Sequence, residues 1–451
     1  MRVSFAAEEG PFGLEPLTIG YIGFAAFVAL IFLRVPIAYA MAIVGTLGLL
    51  SVYDMATVFK FVPFEMFSQT SSFTLASLPL FLLMGYLAFY ADLASDSYEA
   101  AKAWFGRVPG GLAVGTVYAC AIFGACSGSS LATCAVFSKM SVPEMIKAGY
   151  NRKLSLGVVA AGGGLDVLIP PSIIMVVYGV MTETSIGKLL IAGIVPGLVY
   201  ACIFAVAIAA ACWWRPELAP PFHNVDTSWR AKWAAVRNLW AVVALFLLVL
   251  GAIYAGWATP DEAAAVGVVG AALLLAYRRR FSWTSVKGAT IDSAKASAMI
   301  FLLLGAAGIF AKFMSVTGVI STLTKSVMEM GLPFWGLMGG LILLYLVLGC
   351  FLDAISMMLL TMPLVAPLIT AHGQSLVWFG VFISMMVVIG AVTPPLGLNC
   401  YVMKAAMGKD VELNEIFAGA LPFVALMLVI AIIIAAFPGL SLWLPNMMLG
   451  R

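Results

Sequence analysis

Charge is scarce in these 451 residues: Asp, Glu, Lys and Arg together make up 10%, against 63% for the hydrophobic set. Soluble domains carry about 25% charged residues, so this composition excludes one and indicates a polytopic membrane protein. Histidine occurs only at His223 and His372, too far apart for a His-rich zinc site. The seven cysteines (Cys120, Cys126, Cys134, Cys202, Cys212, Cys350, Cys400) lie in apolar runs without a CxxC pair. They read as small packing residues, neither disulfides nor ligands. There is no GxxxxGK[ST] phosphate loop and no catalytic triad pattern, so the chain does not hydrolyse ATP and is not expected to be an enzyme or to hold a cofactor. The net charge of +3 gives no reason to invoke nucleic acid.

What is abundant is apolar sequence of spanning length, about 20 residues for each crossing. Runs near 17–34, 36–52, 74–91, 154–181, 189–213, 239–257, 261–277, 297–315, 377–407 and 417–445 give ten expected crossings. Two more, near 112–141 and 335–370, carry polar residues at their middles and read as re-entrant hairpins. The chain also repeats itself at an offset of 224 residues: Ile169-Pro170-Pro171 falls on Thr393-Pro394-Pro395, Pro143 on Pro367 and Pro36 on Pro260. The expected fold is therefore all-α, with five crossings and one hairpin in each half. The first half is 1–214, a linker spans 215–238 on the inner side, and the second half is 239–451.

Five crossings per half is an odd number, so the second half enters from the opposite face and the repeat is inverted. Lysine and arginine placement agrees with the positive-inside rule. With the N-terminus outside, only Arg2, Lys60, Lys188, Lys325 and Arg451 face outward, while Arg34, Arg152, Lys153 and Arg278-Arg279-Arg280 are among the many that face inward. The start of the chain lacks a basic stretch and holds Glu8 and Glu9, so no cleaved signal peptide is expected. Residues 53–73 read as an amphipathic segment at the outer interface, with 281–296 as its repeat mate on the inner side.

Function is expected where helices break. The first hairpin turns at Ser127-Gly128-Ser129-Ser130, and the crossing at 154–181 is broken by Gly162-Gly163-Gly164-Leu165-Asp166 and Ile169-Pro170-Pro171-Ser172. In the second half the corresponding features are Gly349-Cys350-Phe351-Leu352-Asp353-Ala354 and Thr393-Pro394-Pro395. Unwound backbone at membrane depth is tolerated only in protein or beside a wet cavity, and paired interruptions in two halves point to a transporter's binding site. Serine hydroxyls and freed carbonyls suit a small hard cation, and a half-helix N-terminus suits an anion. Asp166 is costly inside an apolar span; cation ligand, proton carrier and helix cap are all open to it. Asp353 reads chiefly as a cap for the half-helix after it. Thr393 offers a hydroxyl and a carbonyl to a cation, and Asn399 an amide to the same cavity.

These residues resemble a known family. Arg34-Val35-Pro36-Ile37-Ala38, Leu78-Pro79-Leu80-Phe81, Gly124 to Ser130, Val142-Pro143-Glu144-Met145, Leu168 to Ser172, Ser185 to Leu189, Gly349 to Asp353 and Thr393-Pro394-Pro395-Leu396-Gly397-Leu398-Asn399 follow, in order and spacing, the large membrane subunit of tripartite ATP-independent periplasmic (TRAP) transporters. The resemblance covers nearly everything from Leu33 to Pro445. It implies a sodium-driven importer of small organic acids in a bacterial inner membrane, both termini periplasmic, working as an elevator. A separate four-helix small subunit and a periplasmic substrate-binding protein are its implied partners. Carried over by motif, one sodium site takes Ser127, Gly128, Ser129 and the Gly164 to Pro170 loop, Asp166 included. The other takes Gly349, Asp353, Thr393, Pro394 and Gly397, with substrate near Ser130 and Asn399. One departure stands out: the family pattern Gly-Thr-Leu-Gly-Ile-Leu-Ile-Pro-Pro has Gly where this chain has Asp166. Since no small-subunit sequence precedes Leu17, that subunit is expected on another chain.

Overall fold

A computed structural model describes residues 14–33, 35–220, 228–395 and 397–449. Met1, Arg2, Glu8, Glu9, Arg34, Pro221, His223, Leu396 and Arg451, on which parts of the sequence reading rest, lie outside the described residues. Every regular element among the described residues is a helix. Six of them are long and apolar enough to cross a membrane, or seven if the bent pair Trp229–Asn238 and Trp240–Tyr254 is one span. Several expected crossings and hairpin arms fall on shorter apolar helices, such as Pro16–Phe32, Ile37–Leu50, Gly111–Ser127, Phe334–Gly349 and Leu376–Val392. The protein is a multi-pass, all-helical membrane protein, with Trp213, Trp214, Trp257 and Trp283 exposed near helix ends, where amphipathic rings meet headgroups.

The 224-residue offset reappears in where helices begin. Pro16 and Trp240, Ser130 and Ala354, and Arg152 and Leu376 each start a helix. Local chemistry sets these starts. Asn151 accepts from the Lys153 and Leu154 amides at 3.0 and 3.3 Å, satisfying donors that a helix leaves orphaned. Thr259 and Glu262 close a capping box at the head of Pro260–Tyr277, the reciprocal pairing that suits an acidic first turn.

Two stretches differ from the sequence reading. Residues 281–296 and 297–315, read as two separate elements, lie on one 34-residue helix, Trp283–Val316. Ser282 caps it by accepting from the Ser285 amide at 3.0 Å, and no proline follows to interrupt it. Residues 417–445 form two helices, Leu413–Ala436 and Gly439–Leu449, because Pro438 lies between them and bars continuation. The segment 53–73 contains a helix, Met55–Thr70, capped by Asp54 through the Thr57 amide at 3.0 Å.

The described residues form two compact units. One comprises the chain up to Leu75, Ser297–Leu341 and Ile355–Ser375. Its core is aromatic: Phe27 meets Phe310 at 4.9 Å between ring centroids, and Phe313 fills the space left by Gly23 and Gly48. The other comprises Ala76–Ala296, Ile342–Ala354 and the chain from Leu376 onward. There Gly157 and Gly419 bring Arg152–Gly162 and Leu413–Ala436 so close that a Cβ on either would strike the other's backbone, as small residues permit between helices in lipid. The buried Trp378 donates its Nε1 to the Ile434 carbonyl at 2.8 Å, so its indole N–H is paired in the interior.

Candidate functional site

Both tips and both breaks contribute to the second unit, and they are built from residues that stop helices. The first hairpin's arms are Gly111–Ser127 and Ser130–Lys147. Between them Gly128 has φ +60, and a Cβ there would lie 2.7 Å from the Pro171 carbonyl oxygen. Only glycine meets both demands. Ser129 caps the second arm, its hydroxyl accepting from the Ala132 amide at 3.5 Å. The crossing that follows runs as Arg152–Gly162, a tight turn at Gly163–Val167, and Ile173–Met181 capped by Ser172.

Asp166 lies in that tight turn and is fully buried. Thr133 donates its Oγ1 proton to Asp166 Oδ2 at 3.2 Å, and Ser127 Oγ lies 3.0 Å from the same Thr133 oxygen. Thr133 has one proton, so with it given to the carboxylate, Ser127 donates to Thr133. The hydroxyls thus form a chain polarised towards Asp166. Asp166 Oδ1 is buried without a hydrogen-bond partner. Space for the side chain comes from Gly124, where a Cβ would lie 2.5 Å from that of Asp166. Gly164 is buried beside Val388, and Pro170 precedes a cis bond to Pro171.

The second tip joins Phe334–Gly349 to Ala354–Ala371 and carries Asp353, which is half-buried. Gly349 meets Gly390 backbone to backbone, and the Cys350 thiol donates to the Pro394 carbonyl at 3.1 Å. The second break, between Leu376–Val392 and Leu398–Met407, also contains a cis Pro-Pro bond, Pro394-Pro395. Thr393 donates its hydroxyl to the Ile389 carbonyl at 2.6 Å and accepts the Gly397 amide on its own carbonyl at 3.0 Å. A Cβ on Gly397 would crowd the Val392 carbonyl carbon at 2.9 Å.

Asn399 links the two sets. It is fully buried; its Nδ2 donates to the Ala160 carbonyl at 3.2 Å, and its main-chain carbonyl accepts from the Cys134 thiol at 3.3 Å. Ser130, half-exposed, opens the arm that carries Cys134. The structure therefore links Ser127 to Asp166 through Thr133 and ties Asn399 to the first break's helix. Gly349 reaches the second break through Gly390, and Cys350 reaches it through Pro394. Sequence reasoning did not single out Thr133. Its signal was the period: Thr133, Cys134, Phe137, Ser138, Ser141 and Val142 are buried along one face of the arm, a helical stripe whose small polar members stand out among apolar neighbours.

A family model described as "Tripartite ATP-independent periplasmic transporter, DctM component" matches residues 24–440. The C4-dicarboxylate TRAP transporter large permease protein DctM of Pseudomonas aeruginosa is 34% identical over 384 residues, 85% of this chain and 88% of that protein. The isethionate TRAP transporter permease protein DctMQ of Oleidesulfovibrio alaskensis is 30% identical over 437 residues, covering 95% of this chain and 66% of that longer protein. Among solved structures, that of MtrF from Neisseria gonorrhoeae is similar with a TM-score of 0.63 at 14% identity, covering 95% of this chain and 96% of that one, a likeness of fold alone. The chain belongs to the DctM family, the large permease components of tripartite ATP-independent periplasmic transporters.

Proposed function

We propose that this chain imports a small organic acid across a bacterial inner membrane, driven by sodium, after a periplasmic binding protein delivers the substrate. The observation that carries the reading is the buried run Ser127, Thr133, Asp166, where a hairpin tip meets a broken crossing. It supplies hydroxyl and carboxylate oxygens, the donors a hard cation takes, and one of them, Asp166 Oδ1, has no hydrogen-bond partner among the described residues. Ser127, Gly128, Ser129 and the Gly164 to Pro170 loop hold one sodium in this reading. Gly349, Asp353, Thr393, Pro394 and Gly397 hold another, and substrate lies near Ser130 and Asn399.

An organic acid is favoured because two relatives are named for C4-dicarboxylate and isethionate, both small organic anions. We place the four-helix small subunit on a separate chain. We further propose that the halves form an inverted repeat with both termini periplasmic, and that hairpins and broken crossings move as an elevator. Recurrence of helix starts at one offset supports the repeat.

Uptake into proteoliposomes holding this chain and its small subunit, with binding protein and a candidate acid outside, tests the reading. Uptake that needs both an inward sodium gradient and the binding protein is expected. Uptake indifferent to the binding protein would make the chain a stand-alone carrier, and uptake driven by a proton gradient alone would remove sodium.

A further inference from the structure

The linker helix Trp229–Asn238 carries one sign of charge and a row of bare apolar side chains. Its sequence holds Arg230, Lys232 and Arg237 and no acidic residue. On a helical wheel Trp229, Trp233 and Val236 fall within about 60° of one another, and they are 68%, 64% and 37% exposed. Arg230 and Arg237, two turns apart, flank that stripe on one side, and Lys232 flanks it on the other. The Lys232 side leans on the helix Leu93–Phe105. There Trp229 meets Trp104 edge to face at 6.4 Å between centroids, and the Lys232 ammonium lies 5.4 Å from the centre of the Trp104 ring and 5.2 Å from that of Trp229. None of the ion pairs among the described residues includes Arg230, Lys232 or Arg237. The apolar helix Trp240–Tyr254 follows at a bend of 46°. Cations are costly in hydrocarbon, so the bend marks where the chain leaves the apolar span and lies along the interface.

We propose that the linker helix is a docking site for anionic phospholipid of the adjoining leaflet. Arg230 and Arg237 take headgroup phosphates on one flank and Lys232 takes them on the other, while acyl chains lie against Trp229, Trp233 and Val236. Charge complementarity selects this occupant. A zwitterionic lipid brings a cation that three unopposed cations repel, and a protein laid over the stripe would have to desolvate them. None of these residues belongs to a hairpin tip or a broken crossing, so the site is separate from those of the coupling ion and the substrate.

The test reads the tryptophan emission that Trp229→Phe/Trp233→Phe removes, in phosphatidylethanolamine liposomes holding the full chain and its small subunit. Phosphatidylglycerol brominated on its acyl chains is titrated into one set, and phosphatidylcholine brominated likewise into another. Half-maximal quenching by phosphatidylglycerol is expected at a mole fraction about fivefold or more lower, the scale of one cation at an anionic surface. That difference should vanish in Arg230→Gln/Lys232→Gln/Arg237→Gln. It should also narrow for wild type in about 1 M salt, a check that needs no variant to fold. Equal quenching by the two lipids in wild type would overturn the proposal, since the stripe would then meet the bilayer without selecting charge. Quenching by neither would mean that protein covers the stripe, and it too would overturn the proposal. A preference that survives in the folded triple variant would do the same by assigning the selection to other cations.

Discussion

Asn399 holds the Ala160 carbonyl with its amide nitrogen at 3.2 Å, yet its own Oδ1 is buried with no partner. A residue just past the second break is thus anchored to the first broken crossing while one oxygen stays available. Asn399→Leu is expected to lower stability by roughly 1–3 kcal/mol, since the Ala160 carbonyl is left unsatisfied in the interior, measured as melting of the detergent-purified protein. It is also expected to raise the substrate concentration for half-maximal uptake more than it lowers the maximal rate. An unchanged concentration dependence at reduced stability would remove Asn399 from the substrate's surroundings.

Within the helix Phe334–Gly349, two glycines make opposite forecasts. A Cβ at Gly349 would lie 2.6 Å from the Gly390 Cα, whereas Gly340 has nothing within 4 Å. Gly349→Ala is expected to push the tip off the broken crossing and cost about 1–3 kcal/mol, with uptake lost. Gly340→Ala is expected to be neutral or stabilising by about 0.5–1 kcal/mol. Paired melting curves decide it, and equal effects would mean that the backbone contact at Gly349 yields freely.

Much of this was legible because membranes narrow the choices. Long apolar runs, two polar hairpin tips and the doubled Pro-Pro motif located the breaks, since only buried backbone can be unwound there. The caps that fix helix starts, Asn151 and Thr259, were not read; the apolar runs near 154 and 261 came within a few residues of them. What could not be read were three-dimensional partners. Nothing local marks Thr133 as the donor to Asp166, because the two are 33 residues apart. Likewise Asn399 was placed in a cavity, but its bond to Ala160 spans 239 residues. The boundary between 281–296 and 297–315 was missed for a different reason: the charges of 281–296 set it apart in the sequence, but it lacks any breaker that would end the helix before Val316.

Lys102 connects the charged helix Leu93–Phe105 to the first hairpin. Its Nζ lies 2.7 Å from Glu99 Oε1 and 3.0 Å from Glu144 Oε1. Burial pulls the ammonium down, but hydrogen bonds and charge from Glu99 and Glu144 together hold it above the ordinary lysine value. A folded-state value raised above the unfolded one means the contribution is complete below about pH 10 and is lost as pH climbs through the folded value. Lys102→Met is therefore expected to melt earlier at pH 8 by the equivalent of about 1 kcal/mol, with the gap to wild type closing as pH rises past the ordinary lysine value and through the raised folded one. A gap that widens with pH would mean that the methylene stem, not the charge, holds the helix.

Sidedness can be tested at the two ends of one helix. Arg278 pairs with Asp96, and Arg280 with Asp92 at 2.7 Å, so the end of Pro260–Tyr277 lies on the same face as the start of Leu93–Phe105. The opposite end, at Thr259, is 18 residues away, about 27 Å along a helix, enough to place it across the hydrocarbon. By the positive-inside rule the basic cluster is expected inside and the acidic Thr259 to Glu262 turn outside. With Cys202→Ser removing the one exposed native thiol, a membrane-impermeant maleimide applied to intact spheroplasts is expected to label Ala255→Cys. Phe281→Cys should react only after the membrane is opened. The reverse pattern would turn the whole chain over and move the N-terminus inside. Labelling of both from one side would mean that this helix does not cross, and the count of five crossings per half, from which the inversion follows, would fail with it.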